Sequence, residues 1–184
     1  MKPANLKLER AMEALDLDRL RRLDADGWYR FLRDEYFRWK YTAPNRYATT
    51  TRQLRRYADT GTLEALYQVK ERLLTVERAD IRHALSLACE IQGLGTAGAS
   101  GLLAVMYPDT FATVDQFVVK ALREVERLPE RAALSRMKPE GLSPRDGVLL
   151  ISIMQRKAAE NNRLFGTIGW TPRKIDKVLW TYGR

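Results

Sequence analysis

The chain has 184 residues, a formal net charge of +9, one cysteine and one histidine. With Cys89 alone, disulfide frameworks, cysteine zinc sites and cysteine-ligated iron–sulfur clusters are excluded. A mean hydropathy of −0.41 and the lack of any apolar run approaching a membrane span point to a globular domain, and Met1 to Arg10 lack the apolar core of a signal peptide. A cytoplasmic monomer, nucleoid-associated in a bacterium, is therefore expected, and a pI near 9.8 favours polyanionic partners.

In chain order, apolar residues recur at helical spacing and no stretch alternates long enough to make a strand, so the chain is expected to be all-α. Leu6 to Leu15 reads as a first amphipathic helix, followed by a charged turn or short helix over Asp18–Leu23 and a longer helix from about Asp26 to Lys40. Pro44 and Asn45 break it. From Tyr36 to Ala58 there is no acid at all. Arg38, Lys40, Arg46, Arg52, Arg55 and Arg56 alternate there with Tyr36, Phe37, Trp39, Tyr41, Tyr47 and Tyr57, so that cations for phosphates and rings for bases share one segment.

Further helices are expected over Arg46–Tyr57, Leu63–Leu74 and Arg78–Ile91, with Thr60-Gly61-Thr62 as turn and cap between the first two. Gly93-Leu94-Gly95 interrupts the series before a helix over Thr96–Met106. Pro108–Val114 should be extended, with helix resuming near Asp115. Ser143-Pro144 and Thr171-Pro172 each place a hydroxyl at the cap and proline at the first helical position, opening helices over Arg145–Leu164 and Arg173–Tyr182. No linker separates domains. The expectation is one unit over residues 1–184, of two helical lobes with a cleft: an N-terminal lobe carrying the basic aromatic segment (about 26–60), a central region (about 78–123) and C-terminal helices (about 143–182).

Ile91 to Ala99 has the form of a tight turn between helices, whose outward N–H groups, at Gly93, Leu94, Gly95, Thr96 and Ala97, would attract phosphate through the positive end of the helix dipole. By composition alone, the ordinary account is that two glycines simply end one helix and begin another. The segment resembles the helix-hairpin-helix of the base-excision DNA glycosylase superfamily, whose pattern runs hydrophobic, Gly, hydrophobic, Gly and then Ala four residues on. Leu94 lies between Gly93 and Gly95, and Ala99 follows. That family carries a catalytic aspartate twenty residues beyond the second glycine, which is Asp115 here. Tyr107 to Asp115 resembles the Pro-x-x-Phe and apolar-Asp approach of its alkylated-purine and 8-oxoguanine branches.

The resemblance implies a two-lobed helical fold that binds double-stranded DNA, everts a damaged or modified base and hydrolyses its N-glycosidic bond. Asp115 would stabilise the oxocarbenium-like sugar and orient water. Its ordinary alternative is a helix N-cap, and both roles can coexist. Bifunctional members place a lysine two residues after the second glycine. Ala97 stands there, so the resemblance implies a monofunctional enzyme without a lyase lysine. Gln92 in place of a frequent proline, and Gln116-Phe117 after the aspartate, depart from the family pattern. No cofactor or metal is expected; a monovalent cation at the hairpin is left open. Trp39, Tyr41 and Asn45 are candidates for stacking on or replacing the everted base, with core packing as the alternative. His83 is expected at the surface and Cys89 in the core, while Lys120 and the basic C-terminal residues Arg156, Lys157, Arg163, Arg173, Lys174 and Lys177 face phosphate or solvent. The rival function is a non-catalytic helix-hairpin-helix protein that recognises distorted DNA.

Overall fold

The structure, a computed structural model, describes the backbone of residues 3–184 and side chains from residue 6 onward. Met1 and Lys2, part of the stretch read as lacking a signal peptide, lie outside the described residues. The fold is all-α, and no strand occurs among the described residues. In order come α1 (Pro3–Glu13), α2 (Leu17–Arg21), α3 (Ala25–Arg30), a π-helical turn (Phe31–Tyr36) running straight into α4 (Phe37–Lys40), α5 (Pro44–Asp59) and α6 (Leu63–Leu74). Then follow α7 (Ile81–Cys89), α8 (Thr96–Met106), α9 (Gln116–Arg123), α10 (Arg131–Arg136), α11 (Pro144–Phe165) and α12 (Pro172–Gly183). Among the described residues, no helix is long and apolar enough to cross a membrane.

The core is continuous from Met12 on α1 to Ile175 on α12. Helix α8 lies at its centre, with Thr96 and every residue from Gly98 to Met106 buried. Its sequence has no polar stripe, because a helix surrounded by others has no wet face. Small residues in its first half let neighbours close in. A Cβ on Gly101 would meet the Tyr36 hydroxyl at 2.7 Å and the Lys40 side chain at 3.2 Å.

The helix expected over Asp26–Lys40 is present but not uniformly α. Phe31-Leu32 and Tyr36-Phe37 are all buried, yet residues five apart on an α-helix lie about 140° apart around its axis. One π turn, marked by the Phe37 N–H bonding to the Leu32 carbonyl, brings the two pairs onto one face. This turn also sets the direction in which α4 presents Trp39 and Lys40. At the other end, Ser143 and Asp146 form a reciprocal capping box at the start of α11, and Thr171 caps α12 through the Lys174 N–H, in keeping with the hydroxyl–proline pairs. The short α10 has no counterpart among the expected elements.

Candidate functional site

The Gly93–Gly95 turn joins α7 to α8, and the two glycines stand in opposite situations. Gly93 adopts φ +95°, and a Cβ there would lie 2.6 Å from the Thr50 carbonyl and 3.0 Å from the Phe37 ring. Backbone conformation and packing both demand glycine. Gly95 caps α8 with φ −87° and ψ −176°, which any residue adopts, and nothing lies within 4 Å of a Cβ built on it. The space outside Gly95 is open.

The turn is braced from the basic aromatic segment. Tyr57 donates to the Glu90 carbonyl (3.1 Å) and accepts from the Gln92 N–H (3.3 Å), and Tyr41 donates to the Gly93 carbonyl (3.0 Å). The Leu94 N–H bonds inward to the Ile91 carbonyl and its side chain is buried, which removes Leu94 from the set of free amides. Among the described residues, the N–H groups of Gly93, Gly95, Thr96 and Ala97 have no acceptor. Beside the turn, α5 buries Thr51, Leu54 and Tyr57 and leaves Arg46, Arg52, Arg55 and Arg56 exposed. Arg38 is also exposed and bonds the Tyr47 hydroxyl.

Asp115 ends the extended segment and caps α9. One oxygen, Oδ1, accepts from both Phe117 N–H (2.9 Å) and Val118 N–H (3.1 Å). Among the described residues Oδ2 has no donor. The preceding segment has no helix or sheet of its own, so its backbone groups are satisfied from three sides. Ser100 of α8 accepts from the Val114 N–H (3.0 Å), Asp176 of α12 from the Thr113 N–H (2.6 Å), and Gln155 of α11 donates to the Thr110 carbonyl (2.8 Å). Asp115 is thereby fixed on the wall of a cavity of about 460 Å³ between α1, α4, α9 and α12. Trp39, Phe117 and Trp180 supply aromatic surface to it, and Lys40, Glu9, Arg173, Asp176 and Lys177 supply charge. Phe117 and Trp180 meet edge to face, 5.9 Å between ring centres.

Of the three stacking candidates, only Trp39 reaches this cavity. Its indole N–H donates to Glu9 (2.6 Å), and the Arg173 guanidinium lies 5.2 Å from its ring centre. Tyr41 instead packs edge to face on Phe37 and braces the turn, and Asn45 is exposed in the first turn of α5, accepting from the Arg46 N–H. Arg173 is no part of an outer basic face. It is held by Glu9 (2.8 Å) and Asp176 (2.6 Å) and is largely shielded from solvent. Lys177 pairs with Glu13. His83 and Lys120 are exposed, and Cys89 is half-buried against the core.

Lys40 also departs from the sequence reading, which puts it among surface cations. Its stem crosses Gly101 of α8, and the half-buried residue lines the cavity. Among the described residues its ammonium has neither an ion-pair partner nor a hydrogen-bond acceptor. Burial pushes its pKa below the usual lysine value, opposed by the charges of Asp115 and Asp176. Burial likewise pushes the Asp176 carboxyl up to about 7, although Arg173 and the Thr113 N–H hold it down. Neither Phe117 nor Trp180 nor Lys40 could be placed here by local pattern, since the wall is made of residues far apart in the chain.

A second cavity of about 590 Å³, lined by Arg82, Arg136, Arg145 and Met137 among others, contains none of the sequence-derived candidates. No protein-family model matches the chain, and no curated protein or solved structure matches it.

Proposed function

We propose that the chain is a helix-hairpin-helix DNA glycosylase that hydrolyses the N-glycosidic bond of a damaged or modified base everted from duplex DNA. The observation that carries this reading is the placement of Asp115. The residue singled out by its spacing from Gly95 lines a cavity with three aromatic side chains, and it caps α9 with one oxygen while the other has no donor among the described residues. A cap-only aspartate has no need of a cavity.

In this reading the everted nucleotide enters between Trp39 and the Phe117–Trp180 wall. Asp115 faces the sugar as positive charge develops and orients the water that adds to C1′ as the C1′–N bond breaks. The free amides at Gly93 and Gly95–Ala97 hold a phosphate of the same duplex, and the exposed arginines of α5 extend that contact along the backbone. Helix α8 ties the two regions together: Gly95 opens it and Gly101, about 9 Å further along its axis, underlies Lys40.

The test is a panel of duplexes, each carrying one modified base, scored by release of the free base. Release from at least one duplex, lost in Asp115→Asn, is expected. Tight duplex binding with no base released anywhere in the panel favours the non-catalytic reading.

A further inference from the structure

Away from Asp115, three exposed arginines converge on the second cavity, of about 590 Å³: Arg82 from α7, Arg136 from α10 and Arg145 from α11. Among the described residues, none of the three side chains has an ion-pair or hydrogen-bond partner. Two of them stand where a helix disfavours a cation, since Arg82 and Arg145 are each the second residue of their helix, at the positive end of its dipole. Arg136 ends α10, but the carbonyls there are already served by Arg123, which donates to Leu134 (2.9 Å) and Met137 (2.8 Å). The neighbouring polar groups are engaged locally. Asp146 closes the α11 capping box with Ser143, Asp80 caps α7 through the His83 N–H, and the Ser152 hydroxyl donates to the Val148 carbonyl. Three guanidinium groups therefore surround one space with no bond of the fold to hold them there.

Between the arginines the wall is aliphatic, made by Ala133, Met137, Val148 and Leu149, and no aromatic ring lines it. A nucleobase finds no ring to stack on there. A duplex, whose phosphates lie on a convex surface, would leave the aliphatic wall uncovered. A ligand that matches both features carries several carboxylates and an apolar side chain. We propose that this cavity docks an acidic peptide segment of a partner protein, its carboxylates pairing with Arg82, Arg136 and Arg145 while one apolar side chain packs on Met137, Val148 and Leu149. Guanidinium forks take carboxylates bidentately, which orients the segment, and covering the aliphatic wall adds the gain of apolar burial. The anionic segment also relieves the two helix ends that carry an uncompensated arginine. The cavity shares no lining residue with the one that holds Asp115, so a docked partner leaves that site open, and the docking does not depend on the protein being an enzyme.

The experiment probes the full chain with an array of short acetylated and amidated peptides, each carrying several Asp or Glu residues around one Leu, Ile, Met or Phe. The tightest binder is then titrated in solution by fluorescence anisotropy. Binding should fall about tenfold or more in Arg82→Glu and in Arg136→Glu, the loss expected when a charge-assisted pair turns repulsive. Both side chains are exposed and unpaired, so the variants should melt with the parent. Two further arms need no variant of the protein: replacing the peptide's carboxylates by amides, or its apolar residue by serine, should each weaken binding. Arg55→Glu, on the exposed face of α5, changes the net charge equally and should leave peptide binding nearly unchanged. Failure of every peptide to bind above its amide counterpart overturns the assignment, and so does an equal loss in Arg55→Glu. A short unmodified duplex that displaces the peptide, and that itself binds less well to Arg82→Glu and Arg136→Glu, overturns it too and assigns the three arginines to DNA.

Discussion

The Gly93–Gly95 turn and the Asp115 cavity are built by opposite means. The turn is made of consecutive residues whose conformational demands are local. Gly93 needs a left-handed backbone and room against Thr50, and Gly95 needs only to leave space outside. The cavity takes Trp39 and Lys40 from α4, Asp115 and Phe117 from the start of α9, and Arg173, Asp176 and Trp180 from α12. Its chemistry exists only once α9 and α12 have packed together and α1 and α4 have closed the other side. The difference teaches where substitutions should act: at the turn, stability and phosphate binding separate residue by residue, whereas in the cavity, charge and packing are shared among distant segments.

The largest stability effect is expected from Gly93→Val. A β-branched residue at φ +95° and 2.6 Å from the Thr50 carbonyl combines backbone strain with a clash, and a loss of about 3 kcal/mol or more follows. Thermal unfolding measures it, and an unchanged melting temperature would show that the turn relaxes freely. Tyr57→Phe removes the hydroxyl that serves both Glu90 and Gln92 and should cost about 1 kcal/mol. Gly95→Val should leave folding nearly intact and instead weaken duplex binding by filling the space outside the turn. The plot of log K against log salt should become shallower by about 0.9 for every phosphate that the variant no longer neutralises. If the valine variant binds with the parent's affinity and slope, the free amides of the turn do not hold phosphate.

The cavity's own titration should be read in the pH dependence of stability. Asp176 has a folded pKa of about 7 against 3.8 in the unfolded chain, so the folded state binds more protons between those values. Its contribution to stability is complete below about pH 4 and is lost as pH rises through about 7. Asp176→Asn keeps an acceptor for the Thr113 N–H and removes the titration, so the melting difference between parent and variant should shift against the parent as pH rises from about 4 to about 8. A pH-independent difference would mean that Arg173 keeps Asp176 ionised throughout.

Legibility in the sequence follows the same division. Leu63–Leu74 and Thr96–Met106 are observed with the expected bounds, because the residues that punctuate them, Thr60-Gly61-Thr62, Gly93-Leu94-Gly95 and Pro108, act locally. The π turn escapes the sequence reading because Phe31-Leu32 and Tyr36-Phe37 repeat at five residues, a spacing that an α pattern absorbs without notice. At the site, Gly93 and Asp115 can be named from motif and spacing, while Phe117, Trp180 and the inward course of Lys40 require tertiary packing. Tyr41 departs from its expected place for an instructive reason: an aromatic among arginines suggests a base, but the turn beside it has carbonyls to satisfy, and its hydroxyl goes to Gly93.

The central claim is that Asp115 does chemistry in the cavity beyond capping α9, and Asp115→Asn tests it most directly. Asparagine caps almost as well as aspartate and retains an oxygen for the Phe117 and Val118 N–H groups. The melting temperature should therefore change little, and duplex binding should hold or tighten as a negative charge is removed. Single-turnover base release, from whichever duplex is a substrate, should fall by about 10²–10³, the loss typical of a preorganised electrostatic group. Base release at the parent rate, from a variant that folds and binds, would contradict the account.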